Sequence, residues 1–183
     1  MARTLSLVIV LLAAATALAG NGAGELSLDR GAVTSVITSQ LPASRVVTVA
    51  GLGQVTVRFD PPQTVDFLEG TVEARLGLRL VEAGVSGTVL FRLRPEVDTK
   101  SATVRLRATR AKGEGPFALI PDVATLLPPI TMPHRFDWVM ANQSGVRTAM
   151  GVQIQEVVVR ADRLVIRMGL RADTIEVRAG ARP

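Results

Sequence analysis

The chain contains no cysteine and no tyrosine, it has a single histidine, and aromatic residues make up only 3% of it. The lack of cysteine excludes disulfides, thiolate nucleophiles, thiolate metal ligands and a lipid-modified N-terminal cysteine. Modules that stack nucleic-acid bases depend on exposed aromatic side chains, so nucleic acid is not an expected partner. A fold without disulfides must be stabilised by its own apolar core, and the chain is long enough to form one.

Residues that could carry catalysis are present, but they are not arranged for it. His134 is the only histidine, and no serine and carboxylate can be placed beside it to complete a nucleophilic triad. Asp60, Asp66 and Glu69 lie near a proline-rich turn, but acids among so many arginines are better explained as surface ion pairs. No metal-ligand spacing occurs. The sequence therefore predicts a protein that is not an enzyme and has no metal or cofactor.

The first 19 residues resemble a removable export signal. Arg3 gives a positive start, residues 5–15 are almost entirely apolar, and 17–19 present the small-x-small pattern that signal peptidase requires. We expect cleavage after Ala19, a Gly-rich tether over residues 20–25, and a periplasmic or secreted location. The alternative is an uncleaved anchor, but the apolar stretch is shorter than the ~20 residues of a membrane-spanning helix.

Positive charge is carried almost entirely by arginine. The net charge is +5, with 19 Arg and 2 Lys, and it falls to +4 if Arg3 leaves with the leader. Arginine binds phosphate groups through two hydrogen bonds, which suits anionic lipid head groups. The favoured interpretation is that a GC-rich genome encodes Arg where other genomes encode Lys, because these residues occupy outward strand positions that simply need charge.

Apolar and arginine-bearing positions alternate along much of the chain. A period of two gives a strand one dry face and one wet face. Turn residues separate many of these segments, which predicts sequential antiparallel pairing. The alternating segments are 45–50, 55–59, 72–80, 85–93, 104–108, 152–160 and 164–171.

Two segments depart from this alternation. Residues 26–41 place apolar side chains at helical spacing and are followed by Pro42, which predicts a long amphipathic first helix. Residues 117–140 are apolar and interrupted by prolines, which predicts a short second helical segment starting near Pro121. This second segment either folds over the sheet as ordinary core or lines the entrance of an apolar cavity.

These elements predict an α+β fold, in which a curved antiparallel β-sheet wraps around one long N-terminal amphipathic helix. The single domain would span residues 26–178, followed by a tail at 179–183. The order of elements, together with the closing stretch 157–166, resembles the tubular lipid-binding (TULIP) superfamily, which includes the bactericidal/permeability-increasing proteins and small bacterial periplasmic members. The resemblance implies that lipid acyl chains lie between sheet and helix.

The resemblance implies ligand contacts on the helix stripe and on inward strand positions, and alternation assigns the inward set. Three residues of the apolar segment, Phe117, Leu126 and Trp138, are assigned to the entrance of the predicted cavity. All of these side chains would serve equally well as solid core, because alternation does not report whether the dry side is filled or hollow. The predicted ligand-binding residues are Val33, Val36, Ile37, Leu76, Leu78, Leu80, Val89, Phe91, Leu93, Val104, Leu106, Phe117, Leu126, Trp138, Leu164, Ile166 and Met168.

The first predicted function is therefore a non-enzymatic, exported binder of a lipid or other apolar small molecule, with burial of acyl surface contributing ~25 cal/mol per Å². Surface arginines would then bind an anionic head group or contact an anionic membrane surface. The alternative is a periplasmic structural or assembly module. It would bind a protein partner through a sheet edge or through the apolar segment 117–140.

Overall fold

The computed structural model describes residues 23–41, 44–49, 51, 53–98, 103–141 and 147–175. The side chains of residue 23 and of 136–150 and 171–175 are not part of that description. The predicted signal peptide at 1–19, the first half of the predicted tether and the predicted tail at 179–183 lie outside the described residues. Residues 23–25 of the predicted tether lie in a strand.

Within the described part of the chain, ten strands and one α-helix follow one another, with two short 3₁₀ helices between the sixth and seventh strands. The elements are β1 (Ala23–Leu28), α1 (Arg30–Gln40), β2 (Ser44–Val49), β3 (Gly53–Leu68), β4 (Thr71–Leu80), β5 (Val85–Asp98), β6 (Thr103–Gly113), the 3₁₀ helices Gly115–Leu119 and Val123–Leu126, β7 (Ile130–Pro133), β8 (Arg135–Ala141), β9 (Arg147–Val159) and β10 (Leu164–Ile175).

The strands form two antiparallel sheets. A six-stranded sheet has the order β2-β3-β4-β5-β6-β7 and curls into a half-barrel, and a four-stranded sheet has the order β1-β10-β9-β8. Consecutive strands from β2 to β7 are neighbours, so the antiparallel sheet predicted from alternation is confirmed. Backbone hydrogen bonds join the two sheets, from Gly70 N–H to the Val159 carbonyl and from Ile154 N–H to the His134 carbonyl.

The predicted α+β fold is wrong. Strands make up 67% of the structure, so the protein is mostly β, and the described residues contain no long N-terminal helix for the sheet to wrap around. The predicted helix at 26–41 is α1, 11 residues long. The predicted second helical segment consists of two isolated 3₁₀ turns of 5 and 4 residues.

The start of the predicted helix is strand β1, for a reason that is visible in its burial. Leu28 is buried and Ser27 is exposed, and Leu26 pairs with Ile166 on β10. Residues 26–28 alternate in burial and extend an existing sheet by pairing with β10, and only a short segment loses conformational freedom in doing so. Tertiary pairing therefore decides a stretch whose local pattern is too short to settle.

Helix α1 begins where Asp29 accepts a 2.8 Å hydrogen bond from the backbone N–H of Ala32. The hydroxyls of Thr34, Ser35 and Thr38 each donate to the carbonyl four residues earlier. Such residues have weak helix propensity. The helix is therefore maintained mainly by burial of one side, including Ile37, against the half-barrel.

Candidate docking groove at the edge of the six-stranded sheet

Apart from Trp138, the predicted ligand-binding residues lie in or against one hydrophobic core shared by the two sheets and α1. Apart from Val36 and Trp138, each of them is at most 3% exposed. Val36 is partly buried against the same core, and the side chain of Trp138 lies outside the description. The structure therefore assigns them a common core, while contact with a ligand stays a prediction.

His134 connects the two sheets, because it stands between β7 of the half-barrel and β8 of the four-stranded sheet. It is 4% exposed, and its Nδ1 atom has no hydrogen-bond partner. No group of three or more histidine, aspartate or glutamate side chains in the described residues could hold a metal ion. Of the predicted acidic cluster, Asp66 lies 3.4 Å from Arg30 in an exposed ion pair.

An open strand edge is present in the middle of β6. Strand β5 pairs with β6 along its length, from Asp98 opposite Thr103 to Val89 opposite Gly113. On the other side, β7 pairs only with residues 103–106. Residues 107–113, which we call the open half of β6, therefore have no strand neighbour on that side among the described residues.

A groove of about 640 Å³ runs along this open half. The 3₁₀ segment, defined as residues 115–126, forms the opposite wall. Five consecutive residues of β6, 109–113, line the groove, so side chains from both faces of the strand contribute and the groove follows the strand's edge. The other wall consists of Phe117, Ala118, Ile120, Asp122, Val123 and Ala124.

Phe117 anchors the 3₁₀ segment. It is 0% exposed, and a Cβ at Gly87 would lie 2.7 Å from its ring. At Gly113 a Cβ would overlap the backbone carbonyl of Phe117. Two glycines therefore allow this close approach, because neither carries a side chain at the contact. Two residues further on, Leu119 is 87% exposed, and it lies between Ala118 and Ile120 of the groove wall without lining the groove itself.

A β-bulge in β6 determines which charged side chains lie on the outer face of the sheet beside the groove. Arg92 lies opposite Arg110, and the next residue of β5, Leu93, lies opposite Ala108, so Thr109 is an extra residue in β6. The Thr109 hydroxyl donates a 3.2 Å hydrogen bond to the carbonyl of Arg92. Because of this extra residue, β6 positions that are three apart share the outer face of the sheet.

The outer face of β6 therefore carries a row of cations, Arg105, Arg107, Arg110 and Lys112. Arg105 lies 3.3 Å from Asp98. No ion pair with a described residue involves the other three, which we call the cationic row, and the same holds for Arg94, which lies directly opposite Arg107.

Sequence reasoning located this region only in part. A sheet edge and the apolar segment 117–140 were both proposed as partner sites, but the strand was expected to end at Ala108. Arg110 and Lys112 were therefore not assigned to it. The signal was present, because arginines at 107 and 110 continue an outward row only if one residue between them is extra.

A second, smaller groove of about 420 Å³ lies between β1, the start of α1 and the turn that joins β9 to β10. It is lined by Leu26, Ser27, Leu28, Asp29, Ala32, Asp162 and Arg163. Neither groove lies between α1 and the half-barrel, where the lipid was predicted. No helix among the described residues is both long and apolar enough to cross a bilayer.

Comparison with known proteins leaves the groove as the main guide to function. No family model, no curated protein and no solved structure matches this chain.

Proposed function

We propose that the protein is an exported, non-enzymatic binding module that recruits a protein partner by accepting an extended segment along the open half of β6. The observation that carries the proposal is the groove itself, which exposes the edge of a strand opposite an anchored apolar wall. A strand edge offers a row of backbone donors and acceptors, and an added strand satisfies them.

Among the described residues, the other edge of the half-barrel lacks this combination. Strand β2 also ends the half-barrel and exposes Val46 by 61%, but neither described groove follows it. At the open half of β6, a strand edge lies along a groove whose other wall is anchored by the buried Phe117. Main-chain pairing supplies affinity in such sites, and side-chain pockets supply specificity.

Binding of a lipid between helix and sheet stays a prediction, and the fold removes part of its basis. The long helix that should face the sheet is short, and the side chains expected to contact acyl chains pack in a shared core. Extraction of the natively purified protein with organic solvent tests it, since a lipid carrier would release about one lipid per chain.

Site-specific photo-crosslinking tests the groove. A photoreactive residue at position 119 should form an adduct with a defined partner segment, because that position is exposed and lies between two residues of the groove wall, Ala118 and Ile120. The same residue at position 81 is the matched control, since Val81 is also exposed, at 49%, but lies in the turn after β4.

The partner identified in this way is then purified and added to the intact protein. Docking along the strand edge should slow amide hydrogen exchange within residues 107–113, because the added strand protects their free N–H groups. Equal adduct yields at positions 119 and 81, or unchanged exchange in the open half, would contradict the proposal.

A further inference from the structure

We infer that the segment accepted by the open half of β6 is an acidic strand, with carboxylates at alternate positions and small apolar side chains between them. This inference rests on the proposed function and adds the chemistry of the partner. It follows from how the half-barrel neutralises the arginines on its outer face.

Three outer-face arginines of the half-barrel are neutralised by acids, two of them from an adjacent strand and one from the loop after β6, whereas Arg58 and Arg79 lie opposite each other with no ion pair to a described residue. Arg92 on β5 lies 2.6 Å from Glu73 on β4. Arg105 on β6 lies 3.3 Å from Asp98 on β5. Arg75 on β4 lies 3.1 Å from Glu114, which follows β6. Opposite charges on adjacent strands stabilise a sheet in this way.

The cationic row also lacks acidic partners among the described residues, and it differs from Arg58 and Arg79 because those two lie on strands that are paired on both sides. On the β5 side, Arg107 and Arg110 lie opposite Arg94 and Arg92, and like charges directly opposite one another destabilise a sheet. On the groove side there is no strand. A strand added there would bring its outer side chains to about 5 Å from the cationic row, and carboxylates at those positions would relieve the repulsion.

The bulge sets the spacing of these carboxylates. Strand β5 presents residues 94, 92 and 90 opposite Arg107, Arg110 and Lys112, so a regular strand meets the whole row at every second position. An added strand has the same geometry, which places its acids at positions i, i+2 and i+4.

The side chains between the acids point to the opposite face of the added strand. There the accessible apolar side chains of the groove wall are Ala118, Ile120 and Ala124, which favours small apolar residues. Asp122 lies in the same wall, so a carboxylate on that face would be repelled. Charge also argues against a second copy of the chain, since two open halves would bring two cationic rows together.

The test measures binding of fluorescent nine-residue peptides to the intact protein by anisotropy. One peptide alternates glutamate with valine, the second replaces each glutamate by glutamine, and the third replaces it by lysine. We expect the glutamate peptide to bind roughly tenfold more tightly than the glutamine peptide, since each cross-strand ion pair contributes modestly. The lysine peptide should bind weakest.

The variant Arg107→Gln/Lys112→Gln should remove that preference, so that the glutamate and glutamine peptides bind equally. Its matched control is Arg163→Gln/Arg167→Gln, which loses the same charge from β10 and the turn before it and should keep the preference. Both pairs are exposed, so circular dichroism and thermal unfolding should confirm that each variant remains folded.

The outcomes separate this inference from the proposed function. If the glutamate and glutamine peptides bind the unmodified protein equally and both protect residues 107–113 from exchange, the groove accepts a strand and the acidic partner is wrong. If no peptide protects these residues, the proposed function and the inference both fail. If no peptide binds but vesicles containing phosphatidylglycerol do, and the double variant abolishes that, the cationic row serves a membrane and the inference is overturned.

Discussion

The closed half of β6, residues 103–106, differs from the open half, residues 107–113, in strand pairing and in the neutralisation of its charges. Residues 103–106 have a strand on each side, and Arg105 in this half is paired with Asp98. In the open half, the strand neighbour on the β7 side is missing among the described residues, and on the β5 side Arg107 and Arg110 lie opposite arginines instead of acids. Strand β7 carries no acid, so the lost pairing and the missing acids have separate origins and coincide along the same half of β6.

The closed half is completed because the chain returns from the 3₁₀ segment as β7, only 4 residues long. Prolines limit the length of β7, since Pro133 ends the strand and the two residues just before it, 128 and 129, are both proline. The open half is therefore a consequence of where the returning chain resumes pairing.

The largest expected effect on this comparison comes from removing the anchor of the groove. Phe117→Ala should lower the free energy of unfolding by about 3–5 kcal/mol, because it empties a fully buried aromatic site. Leu119→Ala, two residues away, should change it by less than about 0.5 kcal/mol, since that side chain is largely in solvent. Urea denaturation measures both. Similar losses in the two variants would mean that Phe117 does not anchor the wall.

A smaller effect should follow from displacing the wall without emptying its site. Gly113→Ala places a Cβ against the Phe117 backbone and should lower the free energy of unfolding by about 1–3 kcal/mol. Amide exchange should accelerate in the open half and not in residues 103–106. Gly31→Ala in α1 meets only an ordinary 3.5 Å contact and should instead stabilise by roughly 0.5 kcal/mol. Uniform acceleration along β6 would show that its two halves unfold as one unit.

The smallest expected effect is at Glu82, whose carboxylate accepts two hydrogen bonds from Thr56 on β3. Glu82 accepts hydrogen bonds from the Thr56 hydroxyl, at 2.5 Å, and from the Thr56 N–H, at 2.6 Å. The hydroxyl and then the backbone bond lower the pKa of Glu82 below its ordinary value of 4.5. The carboxylate's contribution to stability is therefore fully present above pH 4.5 and is lost as the pH falls through the lower folded-state value.

Glu82→Gln should accordingly be less stable than the parent protein at neutral pH, and this difference should shrink below pH 4. Thermal unfolding at pH 7 and pH 3 measures it. Glu69→Gln, the same change at an exposed turn position, is the control. A difference that persists unchanged at pH 3 would contradict a role for the Glu82 charge.

Prediction from the sequence was accurate within strands and least accurate at the ends of helices and strands. Alternation assigned Leu76, Leu78 and Leu80 to the dry face of β4, where they are buried. It failed for the helix at 26–41, because helical spacing of a few apolar residues was extended over three residues that pair with β10. It also ended β6 too early, because a bulge interrupts the period that alternation relies on.

Local periodicity was sufficient to establish antiparallel strands, an inward apolar face and an outward arginine-bearing face, because side-chain direction in a strand depends only on position along it. The division into two sheets, the shortness of α1 and the open half of β6 depend on contacts between residues far apart in the chain. Which edge stays open is decided when the returning 3₁₀ segment passes along the far side of the groove from β6 without pairing to it. That outcome depends on how Phe117 packs against two distant glycines, which no local pattern records.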